Sequence, residues 1–203
     1  VKIISFVETN KIPVIGLFTG AEALRTPLKK YIFNIRASYY QETDAIVKYF
    51  INKHKLSRIA VFYQNDAYGA AGLKGAEIAL KKYNMKPVSL GTYKRGTLDV
   101  SKGLDSILKA NPQAIIMIGY YGPCAKFILQ AKEKNKNLFF HNVSFVGPDV
   151  LIKLLKGNTD NVYVTQVVPP PTASDIPIVK QYQELMAKYF PMDIPNFVSI
   201  EGF

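Results

Sequence analysis

Tyrosine and hydroxyl side chains follow the ends of several short apolar segments of this sequence. Tyr68 follows one such segment, and Ser144 lies near the end of another. Tyr120 and Tyr121 follow a third, and Thr19 follows one closer to the start of the chain. Aromatic faces with a few hydroxyls and free backbone N–H groups suit a small, partly apolar ligand. The alternative for each tyrosine is a place in the core with its hydroxyl hydrogen-bonded.

The sequence lacks the short motifs of common catalytic and nucleotide-binding loops. A G-x-S-x-G nucleophile elbow and a P-loop are both absent. The glycines Gly69, Gly72 and Gly75 are spaced differently from the dinucleotide-binding fingerprint. We expect them to allow close packing of a helix against a sheet. No catalytic residue is predicted, although a Ser-His-Asp triad stays open because triads assemble in space.

The two histidines and the single cysteine offer little metal chemistry. His54 lies in a lysine-rich helix end, where we expect it to be exposed, and His141 lies between two apolar pieces. Neither has a cysteine or second histidine at ligand spacing, so no metal and no cofactor is predicted. Cys124 begins a predicted helix, a position that can lower a thiol pKa. A structural role on the buried face of that helix is the favoured interpretation.

The composition is that of a chain with a substantial core and a basic surface. The chain has 203 residues, of which 48% are hydrophobic, and a net charge of +11. Its lysines are scattered singly or in pairs, without the dense basic run of a nucleic-acid-binding patch. We therefore expect no nucleic-acid partner. No apolar stretch approaches the length of a membrane span, so we expect no membrane insertion of this segment.

The elements that would position these residues alternate between strands and helices. Residues 58–83 open this rhythm, with a short apolar run, a turn and then apolar residues at helical spacing. Such alternation is typical of βαβ units and predicts an α/β fold with a Rossmann-like parallel sheet flanked by helices. In a parallel sheet, the hydroxyl-bearing strand ends fall on one edge, where ligands bind. The predicted strands are 12–18, 31–35, 59–63, 88–93, 114–119, 138–140 with 143–146, and 163–168. The predicted helices are 1–10, 39–54, 70–83, 101–110, 123–134, 148–155 and 178–189.

Several strings of the sequence resemble one family of binding proteins. The longest is RIAVFYQNDAYGAAGLKGAEIALKK, and the others include FTGAEALR, NIRASYYQE, VSFVG, VTQVVP and PNFVSIEGF. Together they resemble the type I periplasmic solute-binding proteins of the branched-chain amino-acid ABC importers, the leucine/isoleucine/valine-binding-protein-like group. The resemblance covers essentially the whole chain in order.

The resemblance implies two Rossmann-like lobes joined by three crossovers that close on a ligand. It implies a partial first lobe in residues 1–56, a complete second lobe in residues 57–168, and a crossover with return to the first lobe in residues 169–203. Both ends of the chain fall within predicted elements, so we expect an interior fragment of a longer protein.

The resemblance also implies ligand-binding residues. The carboxylate-binding loop of the family matches Phe18, Thr19, Gly20 and Ala21. The tyrosine of the D-x-Y-G turn matches Tyr68, and the strand-end aromatic residue matches Tyr120, or Tyr121 beside it.

The family's acidic partner of a ligand amino group should fall near Val143 or Ser144, and neither residue is acidic. Glu201 offers a carboxylate from another direction. This departure counts against an α-amino acid as the ligand, because a buried ammonium needs an anionic or strongly accepting partner. Carboxylates without an amino group, amides and small aromatic acids stay open.

The function implied is that of an extracytoplasmic solute-binding protein, not an enzyme. It would capture a small amino-acid-like, carboxylate or amide ligand and deliver it to an ABC permease. The implied location is periplasmic or extracellular. The alternative is a ligand-sensing domain of a receptor or regulator with the same fold.

Overall fold

The structure is a computed structural model, and residues 3–203 of the chain are described from it. Residues 1 and 2 of the predicted first helix lie outside the described part. The described helices are α1 (Ile4–Asn10), α2 (Tyr39–Lys48), α3 (Ala67–Lys81), α4 (Ser101–Lys109), α5 (Tyr121–Lys134), α6 (Pro148–Leu155), α7 (Pro177–Tyr189) and α8 (Phe197–Gly202). The strands are β1 (Val14–Ile15), β2 (Ile32–Phe33), β3 (Ile59–Gln64), β4 (Leu90–Tyr93), β5 (Ala114–Ile118), β6 (Phe139–Asn142) and β7 (Val162–Val164). None of the helices in residues 3–203 is long and apolar enough to cross a membrane.

The central feature is a five-stranded parallel sheet with strand order β4-β3-β5-β6-β7. Its register places Val61 opposite Ile116, and Ile116 opposite His141. Both β3 and β5 are buried on both faces, as their uninterrupted apolar runs predict. The predicted α/β fold with a parallel sheet flanked by helices is therefore confirmed.

The side chains of the sheet alternate between two apolar cores. Ala60 and Phe62 point into the core shared with α4, α5 and α6. Val61 and Ile116 point into the opposite core, which contains residues of α2 and α3. This alternation follows from the two-residue period of a strand, and it yields helices on both faces of the sheet.

Glycines allow α3 to pack closely on its neighbours. A Cβ added at Gly72 would lie 2.7 Å from the Ile118 side chain of β5. One added at Gly75 would lie 2.5 Å from the Thr43 hydroxyl of α2. The expectation that these glycines serve close packing is confirmed.

The described chain divides into two compact units. Unit 1 comprises residues 3–19, 24–37 and 166–203, and unit 2 comprises residues 20–23 and 38–165. The sequence-based boundary differs, because it assigned residues 38–56 to the first lobe. These residues form α2 and the π-helical turn Tyr49–Lys53, and they supply Ile46, Val47 and Phe50 to a core of unit 2.

Unit 1 contains a two-stranded parallel sheet and three helices. β1 pairs with β2, placing Val14 opposite Ile32. A small core forms between α7 and α8 around Val179, Tyr182 and Ile200. The Tyr182 hydroxyl lies 2.5 Å from Ser199 Oγ. These contacts link the two C-terminal helices of the unit.

One predicted strand piece takes a different conformation. The sequence predicts that residues 143–146 continue β6, but the strand ends at Asn142 and Ser144–Val146 form a 3-10 turn. The Ser144 N–H donates to a carboxylate instead of to a neighbouring strand. An apolar run alone does not reveal this competing hydrogen bond.

Candidate functional site

The carboxyl edge of the five-stranded sheet carries a chain of hydrogen bonds that links three strand ends. Tyr120 N–H donates to the Tyr93 hydroxyl at 3.1 Å, and that hydroxyl donates to Gln64 Oε1 at 3.0 Å. The Gln64 amide in turn donates to Asp66 at 2.6 Å. Asp66 caps α3 by accepting from the N–H groups of Tyr68 and Gly69. The backbones of Tyr68 and Tyr120 are therefore held by one continuous network.

An aromatic cluster lies at the same edge. Its rings belong to Tyr39, Tyr68, Tyr120 and Phe145, and neighbouring centroids lie 5.1 to 6.4 Å apart. Phe145 contacts both Tyr68, at 5.1 Å, and Tyr120, at 5.5 Å. All four residues belong to unit 2. Such a surface can pack against an apolar or aromatic part of a small molecule.

Tyr68 has a buried hydroxyl whose hydrogen-bonding capacity is unused within the described part of the chain. The oxygen is buried and has no hydrogen-bond partner among residues 3–203. Burial, with a smaller contribution from nearby Tyr39, raises the pKa of Tyr68 well above its usual value. The phenol is therefore neutral at physiological pH and can donate a hydrogen bond. An unpaired buried hydroxyl is costly and is therefore unusual in folded proteins.

A buried carboxylate from α2 also reaches this edge. Glu42 accepts hydrogen bonds from Ser144 N–H at 2.7 Å and from Ser144 Oγ at 3.0 Å. It accepts a third from Thr165 Oγ1 at 2.7 Å. The residue is only 3% exposed. An acidic group therefore does lie beside Ser144, but it comes from a helix distant in sequence and is engaged by protein donors.

Tyr121 lines a neighbouring cavity and is not part of the aromatic cluster. This cavity has a volume of about 360 Å³, and its lining includes Gln64, Tyr93, Arg95, Leu98, Tyr120 and Tyr121. Tyr120 is thus shared between the cluster and the cavity.

The loop containing Gly20 and Ala21 belongs to unit 2. The Gly20 carbonyl accepts from Tyr39 N–H at 2.8 Å. A Cβ at Gly20 would lie 2.7 Å from the Tyr39 ring, so a larger residue would clash there. Through Tyr39, this loop packs beside the aromatic cluster of unit 2. Its assignment to a ligand stays a prediction.

The remaining predicted site residues belong to unit 1. Glu201 forms an ion pair with Arg36, with Oε1 3.0 Å from Nε, and both side chains are largely buried. The Arg36 guanidinium lies 4.5 Å from the centre of the Phe18 ring. Thr19 N–H donates to the Leu17 carbonyl at 2.7 Å. Glu201 thus has a strong cationic partner within its own unit.

The histidines form part of a second aromatic group, on the face of the sheet covered by α2. His54 is half-buried, with its ring 4.9 Å from that of Tyr49 and 4.6 Å from that of Phe139, so it is less exposed than the sequence predicts. The ring of His141 is 5.8 Å from that of Tyr49. Burial lowers the pKa of His141 to about 4. Since this group consists mainly of aromatic rings, we interpret it as packing.

The single cysteine is structural, as expected. Cys124 is fully buried, and burial raises its pKa far above the usual value. Within residues 3–203, no group of three or more His, Cys, Asp or Glu side chains is arranged to hold a metal ion.

Sequence reasoning missed four residues of this edge: Tyr39, Glu42, Phe145 and Thr165. A signal existed for Glu42, because Tyr39, Glu42, Thr43 and Ile46 have the spacing of one buried helix face. An acid on such a face needs partners inside the protein. No local signal identified Phe145 and Thr165, because their roles depend on contacts distant in sequence.

The fold places the chain in the class of open parallel α/β sheets, which bind ligands beyond the carboxyl ends of the strands. The periplasmic binding protein family matches residues 2–203, and the chain belongs to that family. No match was found among curated proteins.

Several solved structures share this fold. A possible leucine/isoleucine/valine-binding protein from Rhodopirellula baltica SH 1 is 38% identical, with a TM-score of 0.90 over 98% of this chain and 55% of that chain. A branched-chain amino acid ABC transporter protein from Thermus thermophilus with bound valine is 21% identical, with a TM-score of 0.77 over 93% of this chain and 49% of that chain. A solute-binding protein from R. palustris in complex with benzoate is 15% identical, with a TM-score of 0.81 over 98% of this chain and 54% of that chain.

These comparisons show the type I periplasmic-binding-protein fold and a chain that spans about half the length of these relatives. The last two are too distant in sequence to indicate more than the fold. Their ligands, valine and benzoate, are chemically different. Membership of the family therefore leaves the ligand of this chain undetermined.

Proposed function

We propose that this chain is part of an extracytoplasmic solute-binding protein that captures a small ligand for an ABC importer. Unit 2 would contribute the carboxyl edge of its sheet, with the rings of Tyr68, Tyr120 and Phe145 against the apolar part of the ligand. The observation that carries the proposal is the buried Tyr68 hydroxyl without a hydrogen-bond partner among residues 3–203. It would donate to an acceptor oxygen of the ligand.

The chemistry of this edge favours a ligand with an apolar or aromatic body and an acceptor group. Small carboxylic acids and amides fit this description. Two acids could balance a ligand ammonium, but Glu42 already accepts hydrogen bonds from Ser144 and Thr165, and Glu201 is paired with Arg36. This supports a ligand without an amino group over an α-amino acid. Tyr121, Ser144 and the residues Phe18 to Ala21 remain further proposed contacts.

The test begins with native mass spectrometry of the full-length protein purified from its source, which would identify a co-purifying small molecule. Calorimetric titration with valine and with benzoate would then compare an amino acid with a small aromatic acid. We expect benzoate to bind more tightly than valine. Tight binding of valine alone would contradict the proposed ligand class, and a protein that binds no small molecule would contradict the function.

Replacing Tyr68 provides a second test with two opposite effects. Tyr68→Phe removes the hydroxyl and keeps the ring, so it should weaken ligand binding by about 1 kcal/mol. The same change should raise the stability of the ligand-free protein, because it removes an unpaired buried polar group. Tyr68→Ala should weaken binding further by removing the aromatic contact. Unchanged affinity in both variants, measured by calorimetry, would exclude Tyr68 as a contact.

A further inference from the structure

The proposed function does not explain why the carboxylate of Glu42 is buried. It lies in the first turn of α2, where the capping box of Ser38 and Gln41 starts the helix. Its carboxylate is buried and accepts three hydrogen bonds from two residues more than 100 positions away. A buried carboxylate is tolerated when protein donors compensate for its lost hydration.

These bonds determine where the chain goes after β6. Ser144 N–H is taken by Glu42, so the strand ends at Asn142 and the backbone turns at Ser144. Thr165, just beyond the end of β7, also donates to the main-chain carbonyl of Asn142 through its N–H, at 3.0 Å. Glu42 thus ties together the ends of two neighbouring strands.

The next residue after Ser144 is Phe145, whose ring packs on Tyr68 and Tyr120. A turn fixed at Ser144 places that ring within the aromatic cluster. Without Glu42, the N–H and hydroxyl of Ser144 lose the hydrogen bonds that Glu42 accepts, and the turn loses that anchor.

We infer that Glu42 is a positioning residue: it fixes the turn at Ser144 and thereby holds Phe145 against Tyr68 and Tyr120. The inference deepens the proposed function and rests on it only where it concerns ligand binding. The alternative role for Glu42 is a direct charge partner for a ligand ammonium.

A glutamine separates the positioning contacts of Glu42 from its charge. Its carbonyl oxygen can accept from Ser144 N–H and Thr165 Oγ1, which share one carboxylate oxygen of Glu42. Its NH₂ group can donate to Ser144 Oγ, because a hydroxyl also accepts hydrogen bonds. Glu42→Gln therefore keeps the positioning contacts and removes the charge, whereas Glu42→Ala removes both.

The 203-residue chain contains no tryptophan, so Phe145→Trp in this chain introduces one tryptophan at the site, which can be excited selectively over the tyrosines. In this background, Glu42→Ala should shift the emission of the introduced tryptophan to longer wavelength and raise its acrylamide quenching constant. Glu42→Gln should leave both unchanged. Asp44→Ala is the matched control, because Asp44 lies on the same helix and pairs with Lys48 and Lys82.

Thr165→Val covers the case in which Glu42→Ala fails to fold, because it removes one of the three contacts with little change in volume. It should give a smaller shift of the same sign. A Glu42→Gln variant that behaves like Glu42→Ala, or a Thr165→Val variant without any shift, would overturn the inference. The readout needs no ligand, so failure of valine and benzoate to bind would count against the proposed ligand alone.

Discussion

Burial shifts the pKa values of Tyr68 and His141, both in unit 2, so that each ring stays neutral at physiological pH. The phenol of Tyr68 has a raised pKa, and the imidazole of His141 has a pKa lowered to about 4. For Tyr68 this means a permanent hydrogen-bond donor at physiological pH. For His141 it means a neutral ring packed against Tyr49 and Phe50.

His141 should make the protein sensitive to acid. An unfolded histidine has a pKa of about 6.5, so below that pH the unfolded state takes up a proton that folded His141 does not. The free energy of unfolding should therefore fall as the pH drops from about 6.5 to 4. Once the pH is below both pKa values, His141 should have lowered the free energy of unfolding by about 3 kcal/mol.

Urea unfolding at pH 7 and at about pH 4.5 would measure this loss, with His141→Phe as the comparison. The variant should lose less stability between the two pH values, because its ring cannot take up a proton. An equal loss in both proteins would show that other groups cause the acid sensitivity.

At the scale of elements, the βα turn after β3 depends on a close backbone approach. A Cβ at Gly69 would lie 1.8 Å from the Gln64 carbonyl oxygen, which belongs to the main chain and cannot rotate away. The first turn of α3 must therefore carry glycine at this position if Asp66 is to cap it.

Gly69→Ala should destabilise the protein by about 3 kcal/mol, at the upper end of typical overpacking costs. Chemical denaturation would measure the change. Gly202→Ala is the matched control, since a Cβ there meets no atom within 4 Å and helix propensity favours alanine. Equal stability of the two variants would show that the α3 turn can relax.

The main difference between the sequence-based boundary and the two compact units lies in α2 and its π-helical turn. Sequence periodicity predicted one helix over residues 39–54, and the structure confirms a nearly continuous helical segment there. Its partner could not be predicted, because amphipathicity indicates a buried face without saying which surface covers it. The close packing of α2 on Gly75 of α3 assigns it to unit 2.

At the scale of the molecule, unit 2 holds a five-stranded sheet with an apolar core on each face. We expect residues 38–165 to fold alone and unfold cooperatively in urea. Residues 57–165 should not, because they lack Ile46, Val47 and Phe50, which are fully buried in one core. Circular dichroism during denaturation would compare the two fragments. A cooperative transition in the shorter fragment would support the sequence-based boundary.

Unit 1 differs from unit 2 in how much apolar surface it leaves exposed. Leu28, Met192 and Ile194 are each more than 80% exposed, and its sheet has only two strands among the residues described. The chain covers about 55% of its Rhodopirellula baltica relative. The proposed role in ABC transport is therefore best tested on the full-length protein.

The sequence by itself determined the α/β class, the order of the main elements and the strand ends that carry Tyr68 and Tyr120. It could do so because apolar runs and helical spacing are local properties of the chain. Only the tertiary structure showed that Glu42 reaches Ser144 and Thr165, that Phe145 joins the two tyrosines, and that α2 belongs to unit 2. Those contacts join residues up to 123 positions apart, and no local pattern encodes such a pairing.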